Sequence, residues 1–249
     1  MPRSRQPPPL PPETRTVGQL VAETLKLYGA RFWPALALGF GPALLGVAAK
    51  ELDDPARAIV VVGAGPLVLA MSYAGAVALV RPISGGRYLA TALVLGFIAF
   101  LPLCIARLWI FPGIYLVVLA WLALIVLAVP AALVERRGLL DALRRGMQLA
   151  RADYWHAIFS LATLVITILL TSLVLFFTLR DLSDQAQVVA AFLSFLVLAP
   201  VFVLGAAVLY VDQEARVESG PRARRKRDAD LHPAVEPDRP GRPDAQVEP

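Results

Sequence analysis

Few residues in this 249-residue chain could break bonds, and their spacing does not gather them. Metal-assisted hydrolysis needs clustered histidine and carboxylate ligands. The two histidines are far apart, His232 in a polar C-terminal stretch and His156 directly after Tyr154-Trp155. His156 reads as an aromatic-like residue at a water–lipid boundary, and the nearby Glu135 and Asp153 as solvated charges offsetting arginines. The single cysteine, Cys104, lies in an apolar run with no histidine partner. It reads as a small buried residue, and alone it can form no disulfide within the chain. The glycines of VVGAGPLV (Val61–Val68) lack the Lys-Ser/Thr of a phosphate loop and fall inside an apolar run. No catalytic residue, metal site or cofactor is expected, and the chain reads as not an enzyme.

The chemistry that is present is basic. VERRGLLDALRRGMQLARADYWH (Val134–His156) is a charged interruption in a long apolar expanse. At about 100° per residue, Leu139, Leu143, Met147 and Ala150 share one side of a helix. Asp141, Arg144, Arg145, Gln148 and Arg151 gather on the other. Such a helix between two membrane spans is expected to lie in the interface plane, its apolar side in acyl chains and its arginines at phosphates. Each basic residue near an anionic surface contributes on the order of 1 kcal/mol. Candidate headgroup-binding residues are therefore Arg136, Arg137, Arg144, Arg145 and Arg151. A second set, Arg224, Arg225, Lys226 and Arg227, comes from the tail cluster RARRKR. A cluster of that kind could mimic a nucleic-acid patch. Directly after a span it reads as a lipid contact instead, with no nucleic-acid partner.

The elements that must hold these arginines follow from composition. The chain is 57% hydrophobic, with charged residues limited to 17% and a mean hydropathy of +0.64. A soluble domain is usually about 45–50% apolar, so these values place the chain among membrane proteins. Crossing a hydrocarbon core about 30 Å thick takes roughly 20 apolar residues. Runs of that kind occupy 32–49, 58–80, 88–106, 110–134, 155–177 and 188–211. The third and fourth would reach roughly 70 Å as one helix, so they must fold back, and RLWIFPG (Arg107–Gly113) supplies a charge, a Trp and a Pro-Gly turn. With six spans, twenty basic residues share the side of the termini and the second and fourth loops, against Lys50, Arg57, Arg107 and Arg180 on the other. Both termini are then expected in the cytoplasm. Arginine outnumbers lysine 21 to 3, which reads as a GC-rich bacterial composition and points to the bacterial cell (inner) membrane.

Residues 1–15 carry six prolines and no apolar h-region, so they read as a disordered cytoplasmic leader and not a cleavable signal. Residues 16–213 form the membrane domain, and 214–249 read as a disordered basic tail with room for a weak protein partner. The amphipathic design recurs at Thr16–Gly39. At a shift of 122, Phe32-Trp33 falls on Tyr154-Trp155, and Val17, Leu20 and Val21 fall on Leu139, Ala142 and Leu143. At a shift of 130, GAVALVR (Gly75–Arg81) meets GAAVLYVD (Gly205–Asp212). This suggests a parallel repeat, although any in-plane helix entering a span would look similar. No span carries a central ionisable residue, which argues against a charged transport path. Gly41-Pro42 and Gly65-Pro66 have no Gly-Pro counterparts in the other copy, so paired broken helices are not indicated.

Three stretches carry a family resemblance: TVGQLVAETLKLYGARFW, FPGIYLVVLAWLALIVLAVPAALVERRGLLDALRRGMQLARADYW and APVFVLGAAVLYVDQEAR. The chain resembles, over residues 16 to 216, a bacterial six-span family that includes the membrane domain of glycerophosphoryl diester phosphodiesterases. The pattern positions are Pro112-Gly113, Pro130, Glu135, Gly138, Ala142 to Arg145, the aromatic-Trp pair, Tyr210 and Asp212. The resemblance implies a membrane-embedded, non-catalytic domain without the phosphodiesterase domain. The expectation is an all-α, polytopic membrane helical bundle of six transmembrane helices plus two in-plane amphipathic helices. Its expected role is organising anionic lipid or a membrane or cytoplasmic protein partner. The alternatives are a transporter or permease with an uncharged path near Pro42 and Pro66, and a lipid-modifying enzyme.

Overall fold

The computed structural model of the protein describes residues 12–83, 86–106, 108, 113–179 and 183–235, except for the side chains of 176, 184 and 220–235. Most of the Pro-rich leader, Arg107, the turn residues 109–112, Arg180 and the end of the tail lie outside the described residues. Among the described residues the chain is helical, with no strand. Helix α1 (Val17–Ala30) opens on a capping box, in which the Gln19 N–H donates to Thr16 Oγ1 and the Thr16 N–H to Gln19 Oε1. It is followed by α2 (Phe32–Lys50), α3 (Asp54–Val80) and α4 (Leu89–Ala106). Next come α5 (Ile114–Ile125), α6 (Ala128–Val134), α7 (Leu139–Ala152), α8 (Tyr154–Leu179) and α9 (Asp184–Val235).

Among the described residues six segments are long and apolar enough to cross a membrane: α2, α3, α4, the α5–α6 pair, α8 and α9. The fourth is not one continuous helix. It breaks at Val126-Leu127, four residues before Pro130. Proline at that position has no N–H for the Val126 carbonyl, and its ring crowds that same oxygen. The other in-helix prolines, Pro42, Pro66 and Pro102, do not interrupt α2, α3 or α4.

The bundle is centred on α3, which packs against α2, α4 and α9, while α2 lies along α9. Tyr73, Phe100, Leu95, Leu122, Leu127, Leu161, Leu164, Leu204 and Leu209 are fully or almost fully buried there. Gly39 lets α2 approach the backbone of α9 at Leu196 more closely than any side chain would allow. The small residues Ala70, Ala74 and Ala35 are buried at helix contacts, as membrane packing favours. Cys104 is buried too, with its Sγ lying against Gly65.

The repeat extends to element boundaries and burial phase. A shift of 122 carries α1 and the start of α2 onto α7 and the start of α8, and a shift of 130 carries the start of α3 onto the start of α9. Buried Leu20 and Thr24 fall on buried Ala142 and Gly146. Ala35, Gly39 and Pro42 fall on Ala157, Leu161 and Leu164. Tyr73, Ala74, Ala76 and Val77 fall on Val203, Leu204, Ala206 and Ala207. A resemblance confined to any helix entering a span would not bring this many buried positions of three successive helices into register.

One boundary differs from the sequence expectation. Helix α9 does not end near Val211 but continues to Val235, through the stretch expected to be disordered from residue 214. The first turns beyond the apolar run stay helical because Asp212, Gln213, Glu214 and Arg216 all find partners on the bundle.

Candidate functional site

The charged residues that the chain places at span ends meet at one end of the bundle, organised by the stretch Tyr210–Arg216 of α9. On one side of that helix, the Tyr210 hydroxyl donates to Glu135 Oε1 at 3.1 Å and to Glu214 Oε1 at 3.3 Å. Arg81, just after α3, pairs with Glu214 at 2.7 Å. Glu135, at the end of α6, also receives Arg137 at 2.6 Å and Arg145 of α7 at 3.0 Å. Burial raises the carboxyl pKa of Glu135, but the hydrogen bonds from Arg145, Arg137 and Tyr210 outweigh it and hold the group below its ordinary range.

On the other side of α9, Arg15 pairs with Asp212 at 2.8 Å, and the Asp212 side chain is 0% exposed. Arg216 donates to Asp153 Oδ2 at 2.6 Å and to the carbonyl of Arg15 at 2.8 Å. The Gln213 amide donates to the Asp153 carbonyl at 3.1 Å. Asp153 also accepts from the His156 backbone N–H, capping the first turn of α8. The start of the chain, the loop after α3, the α6–α8 segment and the far part of α9 are thereby tied together. Glu135 and Asp153 are therefore not the solvated charges expected from sequence but anchors of this collar. His156 is only half-buried, and its backbone, through the cap, is what connects it to the collar.

The arginines singled out in the sequence divide into two kinds. Arg145 turns inward and is 19% exposed against Glu135, with Arg137 on the same carboxylate. Arg136, Arg144 and Arg151 are exposed and have no carboxylate partner among the described residues. Arg136 holds a backbone φ of 56°, the left-handed conformation that side-chain-bearing residues adopt at a cost of about 1–2 kcal/mol. It follows Glu135, the C-cap of α6, and starts the reversal into α7. The backbones of Arg224, Arg225, Lys226 and Arg227 continue α9, while their side chains lie outside the described residues.

Helix α7 has three sides, where the sequence suggested two. Ala142, Gly146, Leu149 and Ala150 are buried against the bundle. A Cβ on Gly146 would stand 2.6 Å from the Ala128 nitrogen, so α7 is seated directly on the break in the fourth span. Leu139 and Leu140 are exposed, and Leu143 and Met147 half-buried, along a second side. Arg144, Gln148 and Arg151 form the third. Ala and Gly weigh little in an apolar-face reading, and of the packed side only Ala150 was placed on the apolar face. The salt bridges to Arg15, Arg81 and Arg216 were missed as well, although opposite charges within a turn of span ends on one side were a signal for them.

Among the described residues no three His, Cys, Asp or Glu side chains are grouped to hold a metal ion. Fold and site together define a polytopic helical membrane bundle with an ion-paired end. Compared with protein-family models, with curated proteins and with solved structures, the chain matches none.

Proposed function

We propose that this is a non-enzymatic integral protein of the bacterial cell membrane, with both termini cytoplasmic, that binds and organises anionic lipid headgroups at its ion-paired end. The observation that carries the reading is the composition of α7: Arg144 and Arg151 stand exposed, with no carboxylate partner among the described residues, beside exposed Leu139 and Leu140. Guanidinium groups next to apolar side chains suit a surface where phosphates border hydrocarbon. Arg136 adds a third exposed guanidinium with no carboxylate partner among the described residues. The collar behind them fixes α7 by Arg145–Glu135 and Gly146–Ala128, so the arginines are presented on a rigid support. The resemblance to the membrane domain of glycerophosphoryl diester phosphodiesterases fits a non-catalytic role. A path near Pro42 and Pro66 finds no support: both are buried, with Val68 against Gly41, and Leu45 and Cys104 against Gly65.

The test is thermal unfolding of the detergent-solubilised full chain with added phosphatidylglycerol or phosphatidylcholine. A ligand that binds only the folded state raises its stability by mass action. The anionic lipid should raise the melting temperature more than the zwitterionic one, and Arg144→Gln with Arg151→Gln should abolish the difference. An unchanged preference in that variant overturns the reading. Reporter fusions at Asp53 and Asp184 should emerge outside and those at Gly146 and Asp230 inside, which tests the orientation.

A further inference from the structure

Two arginines of α7 stand in one row with apolar side chains beside them. Arg144 and Arg151 are two turns apart on bearings that differ by about 20°, which sets their Cα atoms about 10 Å apart along the axis. Leu140 precedes Arg144 by one turn, and Met147 fills the place between the arginines, all four within about 60° of one another round the helix. Leu140, Arg144 and Arg151 are exposed, and Met147 is half-buried. We propose that this row binds one lipid with two phosphates joined by a glycerol bridge, a diphosphatidylglycerol, with one guanidinium on each phosphate. The inference rests on the headgroup reading and names the class of lipid that the site takes.

Charge, spacing and rigidity favour a doubly charged ligand. Arg137 and Arg145 are engaged by Glu135, so the row itself offers two guanidiniums, matched in number and sign by two phosphates. Asp141, the carboxylate of α7, lies about 60° round the helix from Arg144, on the side away from Leu140 and Met147. A Cβ on Gly146 would stand 2.6 Å from the Ala128 nitrogen, so the helix is seated and the separation of its two arginines is set by a fixed backbone. Once one phosphate is held, a bridge makes the second contact intramolecular, at an effective concentration on the order of millimolar. Two single-phosphate lipids each lose their own freedom for the same two contacts. Exposed Leu139 and Leu140 beside the row give acyl chains a surface that a soluble diphosphate has no means to use. At a shift of 122, the positions of Arg144 and Arg151 fall on Ala22 and Gly29, so the first copy lacks the pair and each chain holds one such site.

The test titrates the detergent-solubilised full chain with phosphatidylcholine, phosphatidylglycerol or diphosphatidylglycerol at equal total phosphate and follows the melting temperature. Diphosphatidylglycerol should reach its half-maximal shift at a phosphate concentration about tenfold or more below that of phosphatidylglycerol. Arg144→Gln and Arg151→Gln, each alone, should erase that advantage and leave both anionic lipids ahead of phosphatidylcholine. Arg151→Gln with Gly29→Arg keeps the net charge and moves the arginine to a position with nothing within 4 Å, and it should lose the advantage as fully as Arg151→Gln. Equal half-maximal concentrations for the two anionic lipids, or an advantage retained by the charge-preserving variant, overturns the two-phosphate site and leaves the headgroup reading standing. Anionic lipids no better than phosphatidylcholine overturn the headgroup reading and this site with it. An equal shift from pyrophosphate at the same phosphate concentration assigns the arginines to a soluble ligand and overturns the lipid assignment.

Discussion

The two copies of the repeat share a backbone plan and differ in what they expose. α1–α3 and α7–α9 begin at matching positions and bury several matching residues, although Ala49 and Gly65 are buried where Thr171 and Phe195 are exposed. Yet α7 has Arg144, Arg145 and Arg151 where α1 has Ala22, Glu23 and Gly29. Inward positions are constrained by packing, so they remain comparable between copies. Outward positions are free to diverge, and here only one copy has become strongly basic. The seating differs in the same direction. Gly146 brings α7 against the backbone of α6, whereas its counterpart Thr24 spends its hydroxyl on the Leu20 carbonyl of its own helix.

The largest expected break in this comparison comes from the collar. Arg15→Ala removes the ion-pair partner of fully buried Asp212 and should cost about 3–5 kcal/mol of stability, read by denaturant unfolding in detergent. A loss below ~1 kcal/mol would show that Arg216 and water can replace Arg15. Next is Gly146→Ala, which must push α7 away from Ala128 and should cost about 1–3 kcal/mol. The contrasting change in the first copy, Gly29→Ala, meets nothing within 4 Å and should stabilise by about 0.5–1 kcal/mol. Equal effects at the two glycines would erase the distinction between a seated and a free helix.

Two smaller effects sharpen it. Arg136→Gly relieves the left-handed conformation and should stabilise by about 1 kcal/mol while weakening the preference for anionic lipid. A gain in stability with lipid preference intact would remove Arg136 from the headgroup site. Glu135 gives the pH signature. Its folded pKa lies below the ordinary glutamate value of 4.5, so its contribution is full above that value and is lost as pH falls through the lower folded one. Glu135→Gln should flatten that acid limb and leave the neutral-to-basic range without new curvature. An unchanged acid limb would place the sensitivity elsewhere.

The spans and the two separate amphipathic helices were legible because hydrocarbon imposes a length and composition that few other settings require. The candidate site was only partly legible. Arg144 and Arg151 are where their helical phase put them, exposed on one side. Arg145, one residue away, turned inward to Glu135, and what fixes Glu135 there is Tyr210, 75 residues further along, which no local pattern encodes. The break in the fourth span had a visible cause in Pro130, but Pro42, Pro66 and Pro102 show that the same residue can leave a helix uninterrupted. The continuation of α9 was hidden for a similar reason: polar composition suggested disorder, while the partners that retain its first turns lie at residues 15, 81 and 153.

Tyr210–Arg216 is translated after every group it holds. While the chain is being made, Arg81, Glu135 and Asp153 must wait at the membrane surface without their final partners. Closing the collar therefore waits for the end of the sixth span, and a ribosome that stops short of Tyr210 leaves the bundle with an unlatched end.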